Sequence, residues 1–274
     1  MAVRFARDGL KAGAAAFKLL TRLPVPVRTD GGEAENRRSA VFFPVVGLAV
    51  GLIAGSAGGG IAHVLPLPVA AVAAVLVWIG LSGGLHLDGL MDTADGLFSH
   101  RPPERMLEIM KDSRAGPMGV MACVFDLLFK VTLVYALLGC GFAPLLAGVT
   151  AAAVLGRAFV PAAMALWPYA RKEGGLGGLF RSVGKGHAAA AGALGAALVT
   201  AVFLGIGGLA PAIALLIAVP GTASIYAIGA AVAAAIARKL GGLTGDVYGA
   251  LIEALEIAAL LGFVAALHAG GAAF

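Results

Sequence analysis

The segment 85–96, LHLDGLMDTADG, gathers a histidine and three aspartates in a chain that otherwise carries little charge. Asp88, Asp92 and Asp95 are spaced i, i+4 and i+7, so a helix places their carboxylates along one face. Three carboxylates in one stripe repel each other, and a bound divalent cation relieves that repulsion. Oxygen ligands without sulfur suit Mg²⁺, which keeps several waters and bridges carboxylates to substrate phosphates. The spacing therefore predicts a magnesium site formed by the three aspartates.

The segment that follows, 101–119, brings positive charge close to these aspartates. We expect Lys111 and Arg114 to bind phosphate oxygens, the arginine as a bidentate fork and the lysine as a compact charge. Asp112, next to Lys111, is a further candidate metal ligand. The two segments together predict a site for a phosphorylated substrate.

A second acidic set lies near the C-terminus, in the segment 240–256, LGGLTGDVYGALIEALE. Asp246 and Glu253 are seven residues apart and share a helix face, and Glu256 roughly follows the same stripe. Carboxylates inside a membrane are energetically expensive, so such residues are functional candidates. The alternative is that each glutamate is the buried partner of an intramembrane base.

Four other polar residues lie in or beside apolar stretches. Asp126 and Lys130 are spaced i, i+4 and are expected to pair with each other. Arg157 has no local partner and must face the bundle interior, towards either a substrate phosphate or a carboxylate. For His86 three roles stay open: metal ligand, proton carrier, or polar residue at the end of a span.

The composition explains why these charges are informative. Hydrophobic residues make up 60% of the 274 residues, charged residues only 13%, and the mean hydropathy is +0.95. A soluble domain is nearer 45–50% apolar and about 25% charged. The apolar runs are continuous and approach the roughly 20 residues that a helix needs to cross a bilayer, whereas a barrel would show short alternating segments. The composition and the apolar runs therefore predict an all-α, polytopic membrane helix bundle.

We place about seven spans and treat residues 1–274 as a single membrane-embedded domain. Residues 1–40 form an amphipathic cytoplasmic arm, residues 41–267 the transmembrane bundle, and 88–116 a cytoplasmic loop that carries the acidic motif. The sixth span is expected to be kinked where Pro220-Gly221 interrupts it. The predicted spans are 41–62, 67–87, 117–139, 144–167, 188–208, 211–237 and 247–267.

The basic residues predict the orientation. Eight Lys and Arg precede the first span, four follow the second, four follow the fourth and two follow the sixth, so 18 of the 20 fall on one side. The positive-inside rule makes that side, with the N-terminus and the acidic motif, the cytoplasmic face of the inner membrane. The net charge of +5 is explained by this bias and by attraction to anionic lipids, so we expect no nucleic-acid partner.

Five motifs, in order, resemble the cobalamin synthase (adenosylcobinamide-GDP ribazoletransferase) family. The motif of residues 83–98 is long and specific. Within the motif of residues 104–120, Ala115-Gly116-Pro117-Met118-Gly119 departs from the commoner Ile-Gly-Thr-Phe-Gly. The motifs are LLTRLPVPV, VFFPVVGLAVG, GGLHLDGLMDTADGLF, ERMLEIMKDSRAGPMGV and LGGLTGDVYGALIE.

The resemblance implies a membrane enzyme that joins adenosylcobinamide-GDP to α-ribazole, or to its 5′-phosphate, with Mg²⁺ as cofactor and GMP as product. A ribose hydroxyl would attack the phosphorus on the cobinamide side, and Asp92 or Asp95 would take its proton. Asp246 and Glu253 would complete the metal shell or orient the nucleophile. The residues expected to neutralise the phosphate oxygens are Lys111, Arg114, Arg157 and Arg181.

Two other functions remain as alternatives. A CDP-alcohol phosphotransferase would also place aspartates and Mg²⁺ at a helix end, but Asp88-Gly89 lacks the Ala-Arg that follows in that signature. A cation-coupled transporter would use intramembrane charges and a broken span. Mg²⁺-dependent GMP release would favour the enzyme, and ion-driven uptake into vesicles the transporter. Glycine-rich faces, such as that of the fifth span, would permit a homo-oligomer.

Overall fold

A computed structural model describes residues 2–171 and 174–270, and in this part of the chain every regular element is helical. Lys172, one of the basic residues used to predict the orientation, lies outside the described residues. Short 3-10 turns cover Ala40–Phe42 and Leu176–Phe180. The α-helices are α1 (Ala2–Leu20), α2 (Glu33–Ser39), α3 (Phe43–Ala62), α4 (Leu67–Ser82), α5 (Leu85–Leu97), α6 (Pro103–Ile109), α7 (Pro117–Gly139), α8 (Phe142–Leu166), α9 (Lys185–Gly205), α10 (Pro211–Leu240) and α11 (Gly245–Ala269).

The predicted all-α membrane bundle is confirmed. Six helical stretches are long and apolar enough to cross a bilayer, and they contain α3 and α7 to α11. The helices α4 and α5 meet the same criterion only as a pair, which is bent by 87°.

The ends of the neighbouring helices show that α4 also carries the chain across the bundle. Phe43, at the start of α3, and His86, at the start of α5, line the same cavity. Because α3 leads away from this cavity for 20 residues, α4 must bring the chain back over its length of about 24 Å. At the end of α4, the backbone N–H of Arg22 donates a hydrogen bond to the Leu81 carbonyl oxygen at 2.7 Å. Counted with α4, seven helices among the described residues run across the bundle, six of which meet the length and hydropathy criterion on their own. Helix α5 lies at what we call the site end.

The second predicted span, 67–87, ends five residues too late. Helix α4 stops at Ser82, and Gly83 and Gly84 adopt left-handed φ angles of 64° and 75°. Two successive residues in this region suit glycine, and they redirect the chain through the sharp bend. The acidic residues 88–95 consequently lie on a helix of their own rather than in a loop.

Helix α10 continues through Pro220, from Pro211 to Leu240. A proline within a membrane helix is tolerated where neighbouring groups satisfy the freed carbonyl. The sixth span is therefore one helix, as expected, and the kink at Pro220-Gly221 stays a prediction.

Helix α8 forms the centre of the bundle, and every residue from 147 to 163 is buried. Helix α3 packs closely against it through glycines: a Cβ atom at Gly47 would lie 2.7 Å from the Val154 Cα. Such close backbone approach is how helices gain packing energy in lipid, where no hydrophobic effect drives them together.

Candidate active site

The two acidic sets predicted from sequence meet where α5 packs against α11. A Cβ atom at Gly89 would lie 2.6 Å from the Asp246 carbonyl oxygen, and one at Gly249 would lie 3.1 Å from the His86 Cα. This contact needs glycine at position 89 and leaves little room for a side chain at position 249. It places Asp88 and Asp92 of α5 beside Asp246 at the start of α11.

The carboxylates of this region act on each other electrostatically. Asp88 is exposed, and Asp92 and Asp95 are partly buried. Partial burial, followed in order of strength by the charges of Asp88, Asp246 and Asp95, raises the pKa of Asp92 to about 7. A carboxylate in this environment is stabilised by a bound cation or by a proton. This is the property that the metal site predicted from the three aspartates needs.

Asp95 has a second role, since it caps the N-terminus of α7. Its two carboxylate oxygens accept backbone hydrogen bonds from the N–H groups of Gly116 and Gly119, at 2.7 and 2.8 Å. Carboxylates are favoured at helix N-termini, where unpaired N–H groups and the helix dipole meet them. Asp95 thereby fixes the end of α5 to the segment 116–119, and its oxygens keep fewer free lone pairs for a metal.

Arg171 belongs to the site although the sequence did not single it out. It lies in the segment after α8, donates to the Asp246 carboxylate at 2.7 Å and reaches the Met110 carbonyl at 3.4 Å. Its side chain is only 10% exposed, and its Nε has no hydrogen-bond partner among the described residues. The only signal in the sequence was its place in a basic segment at the site end.

The other predicted phosphate-binding residues lie around the rim. Arg181 stacks over the Tyr169 ring at 5.0 Å and donates to the Arg171 carbonyl at 2.5 Å. Asp112 and Arg114 form an ion pair of 2.6 Å, and this guanidinium lowers the pKa of Asp112 to about 2. Both border a pocket that Asp95 also lines, while Lys111 is exposed.

Arg157 and Glu253 do not join the aspartates but lie in a buried charge cluster inside the bundle. In this cluster Lys130 contacts Glu253, and it lies 2.7 Å from Glu256 and 3.7 Å from Asp126. Arg157 donates to Glu256 at 2.6 Å. Each of these side chains is at most 4% exposed. The predicted Asp126–Lys130 pair exists, but the two glutamates are closer to the lysine.

His86 connects the buried charge cluster to the site. It is 2% exposed, and burial, followed by the Arg157 charge, lowers its pKa well below the ordinary value, so the ring is neutral. An Arg157 guanidinium nitrogen lies 3.5 Å from Nδ1. Because arginine can only donate, Nδ1 accepts and Nε2 carries the hydrogen.

Two cavities adjoin the site. The inner cavity, of about 150 Å³, has His86, Asp88, Arg171 and Asp246 among the residues that line it. The outer cavity, of about 590 Å³, is bordered by aromatic and basic side chains. Arg171 lines both and therefore stands between them.

The donor set fits a magnesium ion that shares its coordination with a substrate. Among residues 2–171 and 174–270, no group of three or more His, Cys, Asp or Glu is close enough to enclose a metal. Mg²⁺ usually takes only one or two protein carboxylates and fills its remaining positions with waters and phosphate oxygens. The exposed Asp88 and partly buried Asp92 suit that mode of binding.

The fold and the site define a polytopic membrane protein with an acidic site at one end of its helix bundle. Comparison with known proteins then gives the family. The model of the family described as cobalamin-5-phosphate synthase matches residues 12–264. The chain belongs to this family and is a membrane-embedded transferase of cobalamin biosynthesis.

Relatives from several bacteria carry the name adenosylcobinamide-GDP ribazoletransferase. The protein of Klebsiella pneumoniae (strain 342) is 42% identical over 92% of this chain and 98% of its own length. That of Brevibacillus brevis is 37% identical over 90% of this chain and 94% of its own length. That of Escherichia coli O157:H7 is 39% identical over 90% of this chain and 96% of its own length. No solved structure matches the chain.

Proposed function

We propose that this protein transfers the cobinamide phosphate group of adenosylcobinamide-GDP to α-ribazole, or to its 5′-phosphate, and releases GMP. The proposal is supported by family membership and by the shared name of relatives that align with nearly the whole chain. We further propose that the reaction depends on Mg²⁺.

The convergence of Asp88, Asp92, Asp246 and Arg171 is the observation that carries this proposal. These residues come from three separate parts of the chain, yet they meet at one end of the bundle. Carboxylates for a metal and a guanidinium for phosphate oxygens are the groups that a diphosphate substrate needs.

Asp88 and Asp92 would hold the magnesium ion, with Asp95 at its edge. The bound ion would offset negative charge on the diphosphate. Arg171 would turn from Asp246 to a phosphate oxygen, since its Nε is already unpaired. Arg181, Arg114 and Lys111 would attract the substrate from the rim.

The chemical step forms one P–O bond and breaks another. A ribose hydroxyl of the acceptor attacks the phosphorus on the cobinamide side, and the P–O bond to GMP breaks. We assign the hydroxyl proton to the Asp92 carboxylate oxygen that does not hold the metal, because both oxygens of Asp95 already accept backbone hydrogen bonds.

Replacement of the central aspartate tests the site. Asp92→Asn keeps the shape of the side chain and removes its charge, so we expect Mg²⁺-dependent GMP release to fall at least ~100-fold, as for loss of a general base. The assay measures GMP release by purified protein in detergent, supplied with adenosylcobinamide-GDP and α-ribazole. The matched control is Asp30→Asn, an exposed aspartate paired with Lys11 at 2.6 Å. GMP release at the wild-type rate by Asp92→Asn would overturn the assignment.

We also propose that the site faces the cytoplasm from the inner membrane, because the predicted cytoplasmic segments carry nearly all the basic residues. Pairing of two copies through glycine-rich helix faces stays a prediction.

A further inference from the structure

The inner cavity has a composition that suits one part of one substrate. The apolar side chains that line it, which we call its apolar wall, come mainly from the end of α1, α3, α8, the 176–180 turn and α11. Five apolar side chains of this wall are each at most 5% exposed. They are Leu20, Phe43, Val160, Phe180 and Ile252.

The size of this cavity matches an aromatic ring. An engineered apolar cavity of about 150 Å³ in another protein binds benzene. The inner cavity has about the same volume, and Asp88, Arg171 and Asp246 border it as well. A ligand can therefore bury its ring between the apolar residues while its polar part stays beside these charges.

The apolar wall discriminates between the two bases that the proposed reaction brings to the site. Guanine has several donors and acceptors on its edges, and burying them against aliphatic and phenyl groups leaves them without partners. The dimethylbenzimidazole base of α-ribazole has no exocyclic polar group and one free ring nitrogen. An acyl chain would leave the polar His86 on the cavity wall without a suitable neighbour.

We propose that the inner cavity binds the benzimidazole base of the acceptor nucleoside and holds its ribose beside Asp88. This inference rests on the proposed function and names the acceptor subsite of the same site. It also explains why the cavity borders the aspartates. A ribose attached to the buried base would lie beside the Asp88 and Asp246 carboxylates.

Filling the cavity tests the inference. Val160→Phe adds a phenyl ring to the wall, so we expect the KM for α-ribazole to rise at least tenfold while the KM for adenosylcobinamide-GDP stays within twofold. The matched control is Val199→Phe, which projects from α9 into a separate apolar cavity of about 400 Å³. The Val199→Phe variant should have an unchanged KM for α-ribazole and for adenosylcobinamide-GDP. α-Ribazole should also raise the unfolding temperature of the wild-type and Val199→Phe proteins but not that of Val160→Phe.

A smaller substitution at Val160 tests the same cavity in a variant whose folding is less disturbed. Val160→Leu adds one methylene, and we expect it to raise the KM for α-ribazole more than the KM for the analogue whose benzimidazole lacks both methyl groups. Free dimethylbenzimidazole should compete with α-ribazole, whereas guanine should not.

The failures of the two proposals can be told apart. Wild-type protein that releases no GMP would refute the proposed function. Wild-type transfer together with an unchanged KM for α-ribazole in both Val160 variants would overturn only the subsite. A phospholipid recovered from the wild-type protein and displaced by Val160→Phe, with an unchanged KM for α-ribazole, would assign the cavity to lipid and also overturn the inference.

Discussion

Glu256 lies between the two buried cations, with one carboxylate oxygen 2.6 Å from Arg157 and the other 2.7 Å from Lys130. Asp126 is also buried, but its nearest approach to Lys130 is 3.7 Å and neither of its oxygens has a hydrogen-bond partner among the described residues. The two acids therefore differ in how much their charge contributes, although both are inaccessible to water.

This difference predicts unequal effects of neutral, isosteric substitutions. Glu256→Gln leaves Arg157 without its carboxylate in a dry interior, and losing one partner of a buried pair costs about 3–5 kcal/mol. Asp126→Asn removes a charge 3.7 Å from Lys130, which keeps its two closer glutamates, so we expect a loss of about 1 kcal/mol or less, within the range of ordinary substitutions. Denaturant unfolding of both variants in detergent gives the comparison. Equal destabilisation would show that Asp126 supports the cations as strongly as Glu256 does.

At the scale of helices, the contact between α5 and α11 controls the geometry of the site. Gly89→Ala would force a methyl group to within 2.6 Å of the Asp246 carbonyl oxygen, so the two helices must separate. We expect transfer activity to fall about tenfold or more, because catalysis is sensitive to displacements of 1 Å.

Gly80→Ala is the control for this helix-scale prediction. A Cβ atom at Gly80, in α4, would meet nothing within 4 Å, so activity should stay unchanged and stability should stay equal or rise slightly. GMP release and thermal unfolding measured side by side check both variants. Full activity of Gly89→Ala would mean that the spacing of α5 and α11 does not limit the reaction.

The helices also show what the sequence could and could not predict. The span 117–139 coincides with α7 because a continuous apolar run and Pro117 define its limits. The break after Ser82 was missed because Gly83 and Gly84 lie in a chain with 41 glycines, most of which could serve helix packing. Arg171 was missed because its partner Asp246 is 75 residues away, and only tertiary structure brings them together.

At the scale of the whole molecule, the predicted seven crossings would place the two chain ends on opposite sides of the membrane. With the N-terminus cytoplasmic, we expect alkaline phosphatase fused after residue 274 to be active, since this reporter folds only outside the cytoplasm. A fusion after Gly241, between α10 and α11, should be inactive. Six crossings would reverse the result at the C-terminus, and activity of both fusions would contradict the proposed orientation.

Helix α5 is held at both ends. Near its start its backbone packs against α11, where a Cβ atom at Gly249 would lie 3.1 Å from the His86 Cα, and near its end Asp95 accepts hydrogen bonds from the N–H groups of Gly116 and Gly119. A helix restrained in this way has little freedom to tilt. The aspartates are thus ordered during folding, before any substrate arrives, so their positioning entropy does not add to the barrier of each turnover.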